Sequence, residues 1–309
     1  MDLASAGYAF EWIDGWGDLP DTPSASANGR THGVTVTRDG RVVVFRQADP
    51  AIVVLSPHGE RLDAWGDRFA GAHGLTLVED EGRERLWVTD EHSAEVSKLA
   101  LDGETLLSLD RPDHPAYRDG RYAPTWVAVD ERRHGGSGDL WVADGYGASL
   151  VHRYDETGGY LGTLTGEEGA GRFDCPHAVW VDRRRAEPEL YVADRGHARF
   201  QVYGLDGNYR RTVGEGVLDC PCTGVAYGDA LAVPELCARL VFLDADDRLV
   251  GMLGRNEAAC DLPGWPEVAR AAIRPGGFIS PHSVAADADG NLYVVEWIVG
   301  GRVTKLARR

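Results

Sequence analysis

The sequence predicts an all-β fold, a six-bladed β-propeller, from three observations. Short runs of β-type residues recur six times along the 309 residues, at intervals of about 40 to 60 residues. Turns rich in Gly and Asp separate the runs. Glycine makes up 39 of the 309 residues, well above its usual share of about 7%. No long helical period competes with this pattern. Four short strands in each repeat at this spacing are typical of propeller blades.

Each repeat begins with a run led by His or Thr, which we predict is the innermost strand of a blade. These first residues are His32, His73, Thr125, His177, Thr223 and His282. A turn and a second strand rich in valine or aromatic residues follow, at 41–45, 86–89, 140–143, 190–193, 230–233 and 292–295. A third strand and, in most repeats, an outer fourth strand complete the blade.

The last repeat offers only three strands before the sequence ends at Arg309. Residues 9–16, ahead of the first repeat, have the pattern of an outer strand without a blade of its own. We therefore predict that this N-terminal strand completes the last blade. Such a closure leaves only short, protected sheet edges, and it makes residues 1–309 a single domain.

Two stretches interrupt the repeats. Residues 111–121 are polar and rich in Asp, His and Tyr, and residues 256–275 form a second insertion. A short helix is expected at 267–273.

Composition excludes several classes of function. The 32 Lys and Arg against 49 Asp and Glu give a net charge of −17, so nucleic acid is not expected as a partner. The longest apolar runs, 42–45 and 51–55, are far shorter than the roughly 20 residues of a membrane-spanning helix. The first residues carry no basic and apolar signal pattern, so we expect a cytoplasmic protein. The oligomeric state stays open, and a monomer is compatible with the sequence.

Five cysteines, an odd number at irregular spacings, indicate free thiols rather than a disulfide framework.

The histidines form the first candidate site. The first residues of the innermost strands should meet near one mouth of the central channel, and four of the ten histidines occupy these six positions: His32, His73, His177 and His282. Three or four imidazoles that converge in this way can bind a divalent transition metal such as zinc, with a position left for water or substrate. The alternative interpretation is that they form hydrogen bonds to channel waters and to one another.

The loops after the second strands form the second candidate site. The Asp residues that end these strands are expected to cap the loops through backbone N–H groups. Arg46, Tyr146 and Arg195 lie in the same loops. A guanidinium binds a carboxylate through two parallel hydrogen bonds, and a phenol beside a metal and an arginine can act as a base.

The repeats resemble NHL repeats, and paired motifs within them resemble the lyase domain of peptidylglycine α-amidating enzymes, peptidyl-α-hydroxyglycine α-amidating lyase. The similarity runs from about Thr31 to Leu306. Four sets of residues carry it: His73-Gly-Leu with Trp87-Val-Thr-Asp90, Pro124-Thr-Trp with Val142-Ala-Asp-Gly-Tyr146, Pro176-His177 with Val192-Ala-Asp-Arg195, and Pro281-His282.

The resemblance implies a zinc ion held by three histidines, which match His73, His177 and His282. It also implies a catalytic tyrosine at Tyr146 and active-site arginines at Arg46 and Arg195. The family's substrate is a C-terminal α-hydroxyglycine, and the products are an amide and glyoxylate. The expected partner is therefore a small or peptide-like molecule with a carboxylate, and no nicotinamide or flavin is needed.

The sequence departs from the family at three positions. Ser283 replaces an aspartate that helps hold a structural calcium, so calcium is not expected here. Gly147 replaces a disulfide cysteine, and His32 adds a fourth imidazole to the ring. The family's oxygenase domain is not expected here, and a stand-alone lyase favours a small hydroxylated amide or a related metabolite as substrate.

Two other functions stay open at this point. One is a non-catalytic NHL propeller that binds a partner and carries a structural metal. The other is a calcium-dependent propeller lactonase or esterase, which the His and Thr residues at the first positions of the inner strands disfavour.

Overall fold

The computed structural model describes residues 1–268 and 273–309, and it confirms the six-bladed β-propeller with antiparallel blades. The strands, in chain order, are β1 (Asp2–Ser5), β2 (Tyr8–Ile13), β3 (Thr31–Val36), β4 (Val42–Arg46), β5 (Ile52–Leu55), β6 (Arg61–Trp65), β7 (Ala72–Asp80), β8 (Arg83–Asp90), β9 (Glu95–Ala100), β10 (Thr105–Ser108), β11 (Trp126–Val129), β12 (Leu140–Asp144), β13 (Leu150–Tyr154), β14 (Tyr160–Leu164), β15 (Pro176–Asp182), β16 (Glu189–Asp194), β17 (Arg199–Gly204), β18 (Tyr209–Val213), β19 (Val225–Tyr227), β20 (Ala230–Glu235), β21 (Arg239–Leu243), β22 (Leu249–Leu253), β23 (Pro281–Ala286), β24 (Leu292–Glu296) and β25 (Arg302–Arg308).

Helical structure is short and lies between strands. One α-helical turn, α1, covers Pro23–Ala27, with Thr22 as its N-cap. The 3-10 helices are Pro115–Tyr117, Arg132–His134, Arg195–His197 and Glu257–Asp261. The helix predicted at 267–273 falls mostly on 269–272, which lie outside the described residues. None of the helices in the described ranges is long and apolar enough to cross a membrane.

The described residues form two compact units, Met1–Ala70 with Val217–Arg309, and Gly71–Gly216. Each unit contains three sheets. The prediction of one domain over 1–309 stays a prediction.

The first unit confirms the predicted role of the N-terminal strand. Its sheets have the orders β3-β4-β5-β6, β19-β20-β21-β22 and β1-β2-β25-β24-β23. Strand β2 pairs with β25, with Phe10 opposite Arg308 and Ile13 opposite Lys305, and so completes the last blade. Strand β1, which was not predicted, adds a fifth strand through a two-residue turn at Ala6 and Gly7. Both residues have positive φ, 54° and 77°, as the favoured hairpin turns require.

The second unit contains the sheets β7-β8-β9-β10, β11-β12-β13-β14 and β15-β16-β17-β18, each with its innermost strand at the start of the blade. Innermost strand β11 packs between β7 and β15. Strands β12 and β16 are buried along their whole length. When the second strand of a blade is buried on both faces, it has apolar residues at consecutive positions. This explains the valine-rich pattern in the sequence.

A large apolar cluster of the first unit shows what the N-terminal strand contributes. Phe10 and Trp12 of β2 pack with residues of β21, β24 and β25 and with Phe278. Phe10 is fully buried, and Trp12 lies 4.7 Å from the ring of Phe278. The last blade therefore depends on β2 for its outer core.

We predict that Phe10→Ala lowers the free energy of unfolding by about 3–5 kcal/mol, the usual loss for a large buried aromatic residue. Urea unfolding followed by tryptophan fluorescence measures this difference. Leu62→Ala is the matched control, because Leu62 also lies on an outer strand but is 55% exposed. An equal, small loss in both variants would show that β2 does not complete the blade.

Candidate active site

Five blades end their second strand on a buried carboxylate, and these carboxylates cap the loops that enter the inner strands. Each lies at most 1% exposed and accepts hydrogen bonds from backbone N–H groups. The bonds run from Gly71 to Asp90 (2.8 Å), Ala123 to Asp144 (2.7 Å), Asp174 to Asp194 (2.8 Å), Asp219 to Glu235 (2.6 Å) and Ile279 to Glu296 (2.6 Å). The predicted capping role of these Asp residues is confirmed, and two glutamates share it.

Arg46 occupies the same position at the end of β4, where the other blades have a carboxylate. Its side chain is fully buried, and its Nε and Nη1 donate to the carbonyl oxygens of Pro50 (3.0 Å) and Pro20 (2.8 Å). Its buried Nη2 makes no hydrogen bond to any residue that the structure describes. Burial lowers the pKa of Arg46. The guanidinium thus has donor capacity that an anion could use.

Tyr146 lies in the second unit, in the loop after β12, and its hydroxyl group has two polar neighbours. It donates to Nε2 of His73 at 3.2 Å and accepts from Nη2 of Arg195 at 3.3 Å. The Arg195 guanidinium also lies 5.4 Å from the centre of the Tyr146 ring. The structure therefore brings together three of the predicted site residues, a phenol, an imidazole and a guanidinium.

The backbone on both sides of Tyr146 approaches its surroundings closely. A Cβ at Gly145 would lie 2.8 Å from Oγ1 of Thr125 and 2.9 Å from the carbonyl oxygen of Pro176. A Cβ at Gly147 would lie 2.2 Å from the Asp144 carboxylate. Only glycine fits at positions 145 and 147, because any Cβ there would clash with these atoms.

His73 and His177 are adjacent and fully buried in the second unit, with ring centres 4.8 Å apart. Nδ1 of His73 lies 2.8 Å from the carbonyl oxygen of Thr125. Because a carbonyl can only accept, Nδ1 carries the proton and Nε2 keeps its lone pair. Proteins orient a metal-binding histidine by a hydrogen bond of this kind, from its other ring nitrogen to a backbone carbonyl oxygen.

His282 and His32 repeat this arrangement in the first unit. Nδ1 of His282 donates to the carbonyl oxygen of His32 at 2.8 Å, and the two ring centres are 4.6 Å apart. Nδ1 of His32 lies 3.2 Å from the carbonyl oxygen of Arg30. In each unit, then, a buried histidine with its Nδ1 bonded to a backbone carbonyl oxygen lies beside a second buried histidine.

Cys175 is a neighbour of the site that the sequence analysis did not assign to it. Nη2 of Arg195 lies 3.3 Å from its Sγ, so this nitrogen is placed between the thiol and the hydroxyl group of Tyr146. Burial raises the pKa of Cys175. In the sequence, its position just before Pro176-His177 is the feature that could have indicated a place near the site. All five cysteines are free thiols, as predicted.

His152, also not predicted, connects the 111–121 insertion to the Tyr146 loop. Tyr117, from the first 3-10 helix, donates its hydroxyl proton to Oδ2 of Asp144 at 2.7 Å. Nε2 of His152 must then donate to the Tyr117 oxygen, at 2.5 Å, and Nδ1 of His152 accepts from Oγ1 of Thr163, at 2.8 Å. Burial, with a smaller contribution from His114, lowers the pKa of His152 to about 3.

The fold and these residues define a class: a six-bladed propeller with NHL-type repeats that carries buried histidines, a tyrosine and arginines at the ends of its inner strands and in the adjoining loops. Comparison with known proteins confirms the resemblance seen in the sequence. The chain is 24% identical over 302 residues to probable peptidyl-alpha-hydroxyglycine alpha-amidating lyase pgal-1 of Caenorhabditis elegans, across 86% of this chain and 79% of that protein.

Two further relatives match at similar identity. Peptidyl-glycine alpha-amidating monooxygenase B of Xenopus laevis is 28% identical over 257 residues, which cover 80% of this chain and 27% of that protein. NHL repeat-containing protein 3 of Mus musculus is 29% identical over 185 residues, 54% of this chain and 50% of that protein. The chain thus matches half of the latter protein's length and about a quarter of the former's. No protein-family model matches the chain.

Among solved structures, streptogramin B lyase has the same fold, with a TM-score of 0.63 over 97% of this chain and 98% of that one. At 12% sequence identity this likeness shows the fold alone.

We predict that the free energy of unfolding falls by about 2 kcal/mol between pH 8 and pH 5 because of His152. The folded pKa is about 3 and the unfolded value about 6.5, so the unfolded state takes up a proton first as the pH falls. The groups that face His152 are Tyr117, His114, Tyr122 and Tyr160. Urea midpoints across this range measure the slope.

His152→Gln should flatten this part of the pH dependence, whereas His58→Gln, at an exposed position, should leave it unchanged. An identical slope in wild type and His152→Gln would contradict the assignment.

Proposed function

We propose that this chain is a metal-dependent lyase that cleaves the C–N bond of an N-acyl-α-hydroxyglycine or a related small hydroxylated amide. In this reaction R–CO–NH–CH(OH)–COO⁻ gives R–CO–NH₂ and glyoxylate. The hydroxyl group loses its proton, the O–H electron pair forms the new C=O bond, the C–N bond breaks, and the amide nitrogen takes up a proton. Atoms and charge balance without an oxidant or a reductant.

The observation that carries the proposal is the environment of Tyr146. Its hydroxyl oxygen lies within hydrogen-bonding distance of an imidazole nitrogen and a guanidinium nitrogen, on His73 and Arg195. The Arg195 guanidinium stabilises negative charge on the phenol oxygen by its own charge, and Nε2 of His73, which accepts the phenol proton here, is also the atom that would bind a metal ion. A phenol held in this way is suited to remove a hydroxyl proton.

Histidines of the repeat register supply the ligands for the metal. His73 and His177 have the burial, the spacing and, for His73, the carbonyl-bonded Nδ1 of metal ligands. His282 and His32 stay predicted ligands because they hold the equivalent positions of their repeats. Ser283, in place of an acidic residue, offers no carboxylate, so no structural calcium is proposed. A bound zinc ion would act as a Lewis acid that makes the substrate hydroxyl group more acidic.

Arginines bind and orient the substrate in this proposal. Arg195 is partly exposed and can turn one edge of its guanidinium to the carboxylate of the hydroxyglycine while it holds Tyr146. Arg46 has a buried donor, Nη2, that makes no hydrogen bond to the described residues, and it is the second candidate for this role. The similarity to proteins named as amidating lyases supports the same substrate class.

We predict that the purified protein contains about one transition-metal ion per chain and that His177→Ala loses most of it, since three protein ligands are the usual minimum for a catalytic zinc. Elemental analysis after supplementation with zinc measures the content. His58→Ala, at an exposed position, serves as the control. Full retention of metal in His177→Ala would remove His177 from the site, and a metal-free wild type would favour a propeller that only binds a partner.

We predict that Tyr146→Phe lowers kcat for glyoxylate release by about two to four powers of ten, the usual contribution of a general base. KM should change much less, because the proton transfer acts in the transition state. The assay measures glyoxylate release from a simple N-acyl-α-hydroxyglycine, with ureidoglycolate as a second substrate.

Tyr209→Phe is the matched control, because its hydroxyl group contacts only Thr212 among the hydrogen bonds described. A metal-loaded wild type that releases no glyoxylate from either compound would refute the substrate class. An active wild type with an equally active Tyr146→Phe variant would assign the base to another residue.

A further inference from the structure

The buried carboxylates of the blades are not all neutralised in the same way. In three blades the residue that pairs with the carboxylate on the third strand is an arginine, and it forms a salt bridge. The pairs are Asp194 with Arg199 (2.9 Å), Glu235 with Arg239 (2.5 Å) and Glu296 with Arg302 (2.8 Å). A buried charge normally needs such a partner.

Two carboxylates have no arginine at this position: Asp90, which is opposite Glu95, and Asp144. The partner of Asp144 on β13 is Leu150, which is itself buried. The carboxylate is instead hydrogen-bonded to the hydroxyl group of Tyr117 and to the backbone N–H groups of Ala123 and Ala148, at 2.7 Å and 2.6 Å. The blade that carries Tyr146 thus has a neutral, rigid donor, the hydroxyl group of Tyr117, where the three blades with a salt bridge have a flexible arginine.

Tyr117 is held firmly from two sides. Its ring packs in the apolar cluster of its blade, 5.3 Å from the ring of Tyr122. Its oxygen accepts from His152, whose other nitrogen accepts from Thr163. Burial, followed by the charge of Asp144, raises the pKa of Tyr117, and the pKa of His152 is about 3. Both groups therefore keep one protonation state throughout the neutral range, and every hydrogen bond keeps one direction.

The loop that carries Tyr146 is built around the Asp144 carboxylate. Ala148, two residues after Tyr146, donates to it, and the backbone of Gly147 passes directly over it. The N–H of Tyr146 lies 3.4 Å from the carbonyl oxygen of Ala123, whose own N–H is bound to Asp144. A displacement of this carboxylate must therefore displace the loop.

We propose that Tyr117 and His152 are positioning residues for Tyr146: they fix the Asp144 carboxylate, and the carboxylate fixes the loop that presents the phenol. This gives the polar 111–121 insertion a role, because it delivers Tyr117. The catalytic consequence rests on the proposed function of Tyr146, whereas the structural consequence does not. The adjacent blade supports the role of His152, because Gln201 holds the same register on β17 and donates directly to Asp194 at 3.1 Å.

The test compares Tyr117→Phe with Tyr293→Phe, a control that also removes a hydrogen bond between a buried tyrosine and an aspartate, Asp287 (2.9 Å). Tyr117→Phe should lower kcat for glyoxylate release about ten- to a hundredfold, the effect of a catalytic group that is misplaced by about 1 Å. KM should change less than about threefold, and metal content should not change. The ratio of kcat in the wild type to kcat in Tyr117→Phe should be the same from pH 6 to pH 9, because neither Tyr117 nor His152 titrates there.

A spectroscopic readout separates this inference from the proposed reaction. In protein labelled with ¹³C-tyrosine, the Tyr146 signal is assigned by its loss in Tyr146→Phe. We expect it to shift in Tyr117→Phe and to stay in place in Tyr293→Phe. A shifted signal in a protein that releases no glyoxylate would support the positioning role and refute the reaction. An unshifted signal with unchanged kcat would overturn the inference.

The variants His152→Gln and His152→Leu provide a second comparison if Tyr117→Phe does not fold. Glutamine can still donate to the Tyr117 oxygen, whereas leucine cannot. The Tyr146 signal and kcat should therefore stay close to wild type in the first variant and change in the second. The same values in both variants would overturn the role of His152.

Discussion

A charged side chain that leaves water must find partners, and this requirement organises every blade of the protein. In five blades the second strand ends on a carboxylate that is almost completely buried. In all five blades, backbone N–H groups of the segment that enters the inner strand donate to this carboxylate. The same bond therefore satisfies the carboxylate and fixes the loop, so loops without regular secondary structure acquire defined positions.

The blades differ in the charged residue at this position and in its partner. In the first blade Arg46 takes the place of the carboxylate, and its N–H groups donate to backbone carbonyl oxygens. The third blade keeps Asp144 but exchanges the expected arginine for Leu150, and an insertion supplies Tyr117 in its place. In the fourth blade Asp194 forms a salt bridge with Arg199. Arg195, the residue after Asp194, contacts Tyr146 instead. Structural and chemical roles are thus divided between neighbouring residues.

The sequence was sufficient to predict the blades, because each repeat contains its own strand and turn signals. It also placed the histidines, Tyr146 and both arginines, since equivalent positions of a repeat occupy equivalent positions in the blades. It could not show that Nδ1 of His73 binds the carbonyl oxygen of Thr125, a residue of another repeat. Contacts of this kind depend on how adjacent blades pack, which has no signature in either repeat alone.

Residues outside the repeat register were missed for a related reason. Tyr117 and His152 are 35 residues apart and are joined only because the insertion folds back over its own blade. Cys175 is predicted only as one of five free thiols, because nothing in the sequence shows that Arg195 extends to it. Strand β1 was missed because its short hairpin lies outside the repeats.

The overall charge sets a further constraint on any carboxylate substrate. A chain with a net charge of −17 repels an anion at long range, but at physiological salt this repulsion is screened beyond about 8 Å. In the proposed reaction, a substrate carboxylate would therefore be recognised by groups at contact distance, such as guanidinium groups. Arg195 meets this need because part of its charge is exposed while its Nη2 is held by Tyr146 and Cys175. A lysine, as a single hydrated point charge, could not bind the phenol, the thiol and a carboxylate in one plane.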